Sequence, residues 1–192
     1  MSQKIVNEGD VDKQLVVQEN SGSIHLAYQS RLSKRFEKLT KEVANEERYQ
    51  GVKEELKYYL TKLDGVDVQT KLNDGGLSEH EIIRAIRRKE KYAKQLEKNK
   101  FYESAQIIDS EIFAKIIIDF ETHVEVPLIN NNASKEDILK AVLEKVIEPT
   151  LDLINTEGEH DSFLNYTVED IYGMIFFLTG KCHINWKQYD SL

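Results

Sequence analysis

From Leu32 onward, the apolar residues of this chain recur at intervals of three and four. Because an α-helix turns by about 100° per residue, this spacing places them along one helix face. Only two prolines occur, and Pro149 falls within such a pattern, where we expect a kink at Val146–Glu148. The periodicity predicts an all-α fold, a helical bundle of five or six helices over residues 31–192.

Capping residues mark where several of these helices begin. We expect N-terminal caps at three pairs with the spacing of a capping box: Ser78 with Glu81, Ser134 with Asp137, and Thr167 with Asp170. The helix that starts after Ser78 should end near Lys98. We interpret residues 63–77, "LDGVDVQTKLNDGGL", as a loop, and Gly180 as the residue just beyond the last helix.

Residues 1–30 follow a different pattern. Short β-branched runs at Lys4–Val6, Gln14–Gln18 and Ser23–Leu26 are separated by glycine-containing turns. These residues are predicted to form a short N-terminal β-like arm, distinct from the bundle of residues 31–192. Two or three short strands are only marginally stable by themselves, so we expect the arm to need a partner surface.

The most strongly charged stretch is residues 84–100, "RAIRRKEKYAKQLEKNK". Its eight positive and two negative charges leave −14 on the rest of a chain whose net charge is −8. That balance argues against nucleic-acid affinity of the whole protein, but a local basic stripe can track phosphates or dock an acidic partner. The alternative is a solvated face, neutralised in part by carboxylates near Glu157–Asp161. Six cations recur at helical spacing: Arg84, Arg87, Arg88, Lys91, Lys94 and Lys98.

The stretch "LTGKCHINW" holds the only cysteine, Cys182, directly before His183. Adjacent side chains of an extended segment point to opposite faces, so His183 would not reach the Cys182 thiol to act as its base. Neither a C-x₂-C nor an H-x₃-H spacing occurs, and no phosphate-loop, dinucleotide, zinc-protease or serine-hydrolase motif occurs either. We therefore expect no enzyme, no metal and no cofactor. The alternation of Cys182, Ile184 and Trp186 predicts a short extended C-terminal segment with one apolar face.

A single cysteine suits a reducing compartment, and the N-terminus lacks the pattern of a secretory signal. The longest apolar run is interrupted by acidic residues, so no segment is expected to cross a membrane. These features favour a cytoplasmic location.

The stretch "IYGMIFFLTGKCHINW" resembles the closing signature of helical accessory or C-terminal domains in bacterial ABC-three-component defence systems, the Lamassu-like group. The signature positions, with a structural or docking role, are Tyr172, Gly173, Gly180, Cys182, His183 and Trp186. The middle of the chain is similar to the body of the same domain, so the resemblance covers about residues 35–187. Lys181 departs from the pattern, in which asparagine is expected.

This resemblance implies a non-catalytic accessory or adaptor subunit of an anti-phage complex. Such a subunit bridges an SMC-like ABC ATPase, the sensor, and an effector subunit of the nuclease type, and it reaches DNA through the complex. The alternative hypothesis is a nucleic-acid-binding helical module that uses the basic stripe at residues 84–98.

Overall fold

The computed structural model describes residues 29–187, and these residues form seven helical rods with no β-strand among them. The predicted all-α fold is confirmed; the β-like arm, except for its last two residues, lies outside the described range. The α-helices are α1 (Arg31–Ala44), α2 (Glu54–Leu60), α3 (Val68–Asp74), α4 (Glu79–Asn99), α5 (Glu103–Phe120), α6 (Lys135–Ala141), α7 (Glu148–Glu157) and α8 (Val168–Gly180).

Two π-helical segments extend these rods. Glu121–Glu125 continues α5, and Val142–Ile147 joins α6 to α7 in a single rod. The second segment lies immediately before Pro149, where we expected a kink. Proline lacks an N–H and its ring clashes with the carbonyl four residues earlier, so the turn before it cannot keep regular α-helical hydrogen bonds.

The core lies around α5 and between α4 and α8. Apolar side chains of α5 such as Ile108, Phe113 and Ile116 are fully buried. α4 and α8 cross closely at Gly173, where an added Cβ would lie 2.7 Å from the Cβ of Tyr92. Glycine is therefore what allows these two backbones to approach.

All three predicted capping pairs are confirmed. Ser78 with Glu81 and Thr167 with Asp170 form reciprocal capping boxes, and the Ser134 side chain accepts from the backbone N–H of Asp137. Each pair satisfies backbone donors that a helix start leaves without intrahelical partners.

The loop interpretation of residues 63–77 is wrong in its centre, where α3 forms. Val68 and Leu72 are four residues apart and both buried, and the Asp67 side chain caps the helix by accepting from the N–H of Thr70 at 2.9 Å. The apolar spacing and the cap are helix signals, but they span only a few residues, and the flanking glycines favour a loop. Seven residues form a stable helix only with tertiary packing.

The placement of Gly180 beyond the last helix is also wrong. Gly180 is the last residue of α8, and the left-handed residue is Cys182, with a φ of 71°. The N–H of Cys182 bonds the carbonyl of Thr179, and the N–H of His183 bonds the carbonyl of Leu178. These two bonds form a Schellman motif, with cysteine where glycine is usual.

Candidate functional site

The basic stripe lies on the outward face of α4. Counted at about 100° per residue, Arg84, Arg87, Lys94 and Lys98 fall within about 80° of the helix circumference. Their side chains are exposed, on the face opposite the buried Leu96. From position 87 to position 98 the row rises about 16 Å along the helix axis.

Two cations of the stripe are bound to α8. Arg88 donates to both carboxylate oxygens of Glu169, at 2.9 and 2.6 Å, and its guanidinium lies 4.4 Å from the ring centre of Tyr172. Lys91 donates to Asp170 at 2.9 Å. Arg88 lowers the pKa of Glu169 through these hydrogen bonds. The carboxylates that pair with the stripe therefore lie in the first turn of α8, rather than near Glu157–Asp161.

The other four cations of the stripe form no ion pair with any residue of the range 29–187. We call them the cation row: Arg84, Arg87, Lys94 and Lys98. Exposed charges without an ion-pair partner add little to folding stability, so these side chains are available to contact a ligand.

A groove of 550 Å³ follows three members of this row, Arg87, Lys94 and Lys98, between α4 and the loop that precedes α8. We call it the α4 groove; it is lined by Arg87, Glu90, Lys91, Lys94, Gln95, Lys98, Asn99 and Phe163. Its charged lining is four cations and one carboxylate. The groove is therefore a candidate site for an anionic ligand.

Phe163 is held at the edge of the groove by a hydrogen-bonded loop. The Asp161 carboxylate accepts from the backbone N–H groups of Phe163, Leu164 and Asn165, at 3.1, 3.2 and 2.8 Å. Gln95 of α4 donates to the Leu164 carbonyl at 2.8 Å. The half-buried Phe163 ring packs against Tyr102 with ring centres 4.9 Å apart. These contacts fix an aromatic side chain beside the row of cations.

Beneath the groove lies a buried polar network around Asp109. Its carboxylate accepts from Tyr92 at 3.1 Å, from the Asn99 amide at 3.0 Å and from the Tyr166 hydroxyl. Burial raises the pKa of Asp109 to about 6, against hydrogen bonds that act to lower it. Since Asn99 also lines the groove, this network fixes part of the groove floor.

Cys182 and His183 contact different neighbours. The Cys182 thiol lies 2.7 Å from Oδ1 of Asp64, a carboxylate, whereas cysteine nucleophiles lie beside a base or a cation. The His183 ring packs between Tyr58 and Tyr59, with ring centres 5.0 and 5.6 Å away. Burial lowers the pKa of His183. This geometry is that of packing rather than of a catalytic pair.

Asp64 joins the C-terminal segment to the loop before α3. Besides the thiol, it accepts from the buried ammonium of Lys71 at 2.8 Å, and Lys71 also donates to Asn185 at 2.8 Å. Burial would raise the pKa of Asp64, but the hydrogen bonds from Cys182, Lys71 and the Val66 N–H hold it at about 2. The cluster connects the C-terminal segment to α3.

Trp186 closes the other end of this segment. Its indole N–H donates to Thr179 at 3.0 Å, and its ring stacks on Phe176 and meets Phe120 edge-on. A Cβ at Gly75 would lie 2.5 Å from the Cβ of Trp186. Cys182, Ile184 and Trp186 are all buried, while His183 and Asn185 between them are partly exposed.

Sequence reasoning found the stripe but missed its partner loop and the network below it. Phe163 lies in a segment that reads as a polar connection, and only the Asp161 turn signal marks its shape. Asp109 interrupts the apolar face of α5, which is the signal of a buried polar group.

In the described range, no three histidine, cysteine or acidic side chains meet in a cluster that could hold a metal ion. Nor does any helix of residues 29–187 combine the length and hydropathy needed to cross a membrane.

Comparison with family models identifies a match over most of the described chain. The family model described as C-terminal domain 9 of the ABC-three component systems matches residues 67–186, which include α3 to α8 and the C-terminal segment through Trp186. No curated protein and no solved structure shows significant similarity to the chain.

Proposed function

The chain belongs to the family of C-terminal domain 9 of the ABC-three component systems, and on this premise we propose that it is a non-catalytic docking subunit of an anti-phage defence complex. In this proposal it bridges an SMC-like ABC ATPase, which senses the phage, and an effector of the nuclease type. The family match is the single observation that carries the proposal.

The contacts of the signature residues in the fold support a docking role rather than a catalytic one. Gly173 allows α4 and α8 to cross closely. The buried Trp186 donates a hydrogen bond to Thr179, and the Cys182 thiol hydrogen-bonds to the Asp64 carboxylate. These side chains are already used in packing within the bundle, so we assign the contacts with partner proteins to other, exposed side chains.

Exposed apolar side chains flank the C-terminal segment and supply a contact surface. Tyr58 and Leu63 are 58% and 55% exposed. Tyr58 packs on His183, and the backbone N–H of Leu63 bonds the Lys181 carbonyl at 3.2 Å. Exposed apolar patches are typical of protein–protein contact sites.

Co-purification tests the docking role. The tagged chain, expressed with the ABC ATPase and the effector encoded beside it, should recover both proteins. The double variant Tyr58→Asp, Leu63→Asp should lose at least one of them, while Phe101→Asp, at an exposed aromatic residue of the α4–α5 turn, should retain both. Recovery of neither protein by the wild-type chain would contradict the proposal.

A second candidate function is nucleic-acid binding, favoured by the four unpaired charges of the cation row. Binding should weaken steeply with salt, because each neutralised phosphate releases counterions. Arg88 and Lys91 are unsuitable for the test, since reversing them would break their pairs with α8.

The matched experiment reverses the cation row to glutamate and compares it with a variant of equal charge change elsewhere on the surface. The control replaces four exposed lysines: Lys41, Lys62, Lys145 and Lys187. Loss of DNA binding in the first variant alone supports this function. Equal loss in both variants would mean that only the net charge matters.

A further inference from the structure

We infer that the α4 groove takes a single strand of nucleic acid, with its phosphates on the cation row and a base against Phe163. The inference rests on the second candidate function and specifies the ligand of that site. Three observations carry it: the width of the positive strip, the position of the aromatic ring and the hydrogen bonds of the loop that holds that ring.

The positive strip is one helix row wide. Glu90 and Glu97 lie about 60° to 80° to one side of Arg87 on the α4 circumference, and both are exposed. On the other side the groove is lined by uncharged Gln95, Asn99 and Phe163. The cations nearest to that side, Arg88 and Lys91, are paired with Glu169 and Asp170. Cations therefore follow one line along the groove, with carboxylates along one border and neutral side chains along the other.

This arrangement favours one phosphodiester strand over a duplex. A duplex carries a charge about every 1.7 Å of its axis on two strands, and a basic site wider than one row is needed to neutralise both. If one strand lay on the cation row, the second would lie over one of the two borders, where it would meet either the carboxylates of Glu90 and Glu97 or uncharged side chains. A single strand can instead turn its bases toward the neutral border.

Phe163 supplies a surface for one of those bases. Bases of any sequence stack on aromatic side chains, and this contact combines with a charged groove in proteins that bind single strands without sequence preference. The Asp161 turn and the Gln95 hydrogen bond hold Phe163 in place before any ligand arrives. An acidic peptide would use the charges of the groove but not this ring.

Fluorescence anisotropy with labelled probes tests the inference. The probes are a 15-nucleotide oligo(dT), a 15-nucleotide oligo(rU), a 15-base-pair DNA duplex and a polyglutamate peptide, each measured at several salt concentrations. We expect both single strands to bind at least tenfold more tightly than the duplex and the peptide. The logarithm of the single-strand Kd should rise with the logarithm of salt concentration with a slope of about 3 for four cations.

Variants of Phe163 separate stacking from charge. Phe163→Ala should weaken single-strand binding by about tenfold and leave the salt slope unchanged, because no charge is lost. Phe101→Ala, at an exposed aromatic residue outside the groove, should leave the affinity unchanged. Thermal melts of both variants establish that the fold is intact.

The outcomes that overturn the inference are distinct. A duplex that binds as tightly as the single strands, or a Phe163→Ala variant with unchanged affinity, removes the single-strand inference but leaves nucleic-acid binding standing. Tighter binding of polyglutamate assigns the groove to an acidic protein partner. No binding of any nucleic acid at low salt removes the second candidate function as well, while co-purification with the ATPase and the effector is unaffected.

Discussion

At Gly173, α8 crosses α4 with no room for a side chain. A Cβ there would lie 2.7 Å from the Cβ of Tyr92 and 2.8 Å from the carbonyl oxygen of Arg88. The second of these atoms belongs to a helix backbone, which cannot move without shifting the Arg88–Glu169 pair. Gly180 in the same helix is different, since its added Cβ would meet only Lys89 and Val68, at 3.5 and 3.7 Å.

This contrast gives the first prediction. Gly173→Ala should lower the free energy of unfolding by about 2 kcal/mol, in the range of core overpacking. Gly180→Ala should leave it unchanged or raise it by up to about 1 kcal/mol, because alanine is the better helix former and the space is adequate. Urea denaturation measures both. A Gly173→Ala variant as stable as wild type would mean that the α4–α8 crossing is not tight.

A second prediction concerns Asp109, whose pKa is raised to about 6 by burial. Between the ordinary carboxyl pKa and this value the folded state binds more protons than the unfolded state, so stability falls as pH rises through that window. Relative to Asp109→Asn, which does not titrate, the wild-type protein should lose about 2 kcal/mol of stability between pH 4.5 and pH 7.

Denaturation of both proteins across this pH range provides the measurement. Other carboxylates, such as Asp64, Glu81 and Glu103 with pKa values of about 2, are present in both proteins, so their contributions cancel in the difference. A stability difference that is constant from pH 4.5 to 7 would show that Asp109 does not titrate there.

Among the helices, the end of α8 departs most from what local sequence rules predict. Gly180 stays helical, and the left-handed position falls on Cys182. A non-glycine residue in that conformation costs about 1 kcal/mol, and the thiol contact with Asp64 together with burial of the side chain offsets this cost.

Two substitutions of Cys182 separate strain from contact. Cys182→Ala keeps the left-handed strain and loses the thiol, so it should destabilise the protein by about 1 to 2 kcal/mol. Cys182→Gly loses the same thiol but relieves the strain, so it should be more stable than Cys182→Ala by about 1 kcal/mol. Chemical denaturation under reducing conditions decides the order. A less stable glycine variant would contradict a left-handed Cys182.

On the scale of the whole molecule, burial is distributed very unevenly. Ten of the 18 residues of α5 and nine of the 13 of α8 are buried, whereas α6 contains no buried residue. Segments with few buried contacts open without unfolding the rest of a protein. The bundle should therefore have a stable centre of α4, α5 and α8, and a weaker periphery.

Hydrogen exchange tests this distribution. Amide protons of α5 and α8 should exchange only through global unfolding, and those of α6 should exchange at least about 100-fold faster through local opening. Mass spectrometry of peptides from each helix provides the rates. Gly173→Ala, which weakens the centre, should accelerate exchange in α5 and α8 much more than in α6. Equal protection of α6 and α5 in the wild-type protein would contradict the expected periphery.

Sequence alone determined most of the helices, because their signals are local. The three-to-four spacing of apolar residues and the three capping pairs act within a few residues of one another, so their structural result could be predicted. The short α3 and the end of α8 escaped this reasoning. Both depend on packing against distant segments, as the contacts of Trp186 with Gly75 and of Cys182 with Asp64 show.

Only the tertiary structure decided which charges of the basic stripe are free. Arg88 and Glu169 are 81 residues apart in the chain, and nothing in the spacing of the stripe distinguishes Arg88 from Arg87. The same holds for the α4 groove, since Phe163 reaches it only because the chain folds back along α4 before α8 begins. Hydrogen bonds within a helix depend on residues three to five positions away, whereas pairing between helices depends on how the whole chain packs.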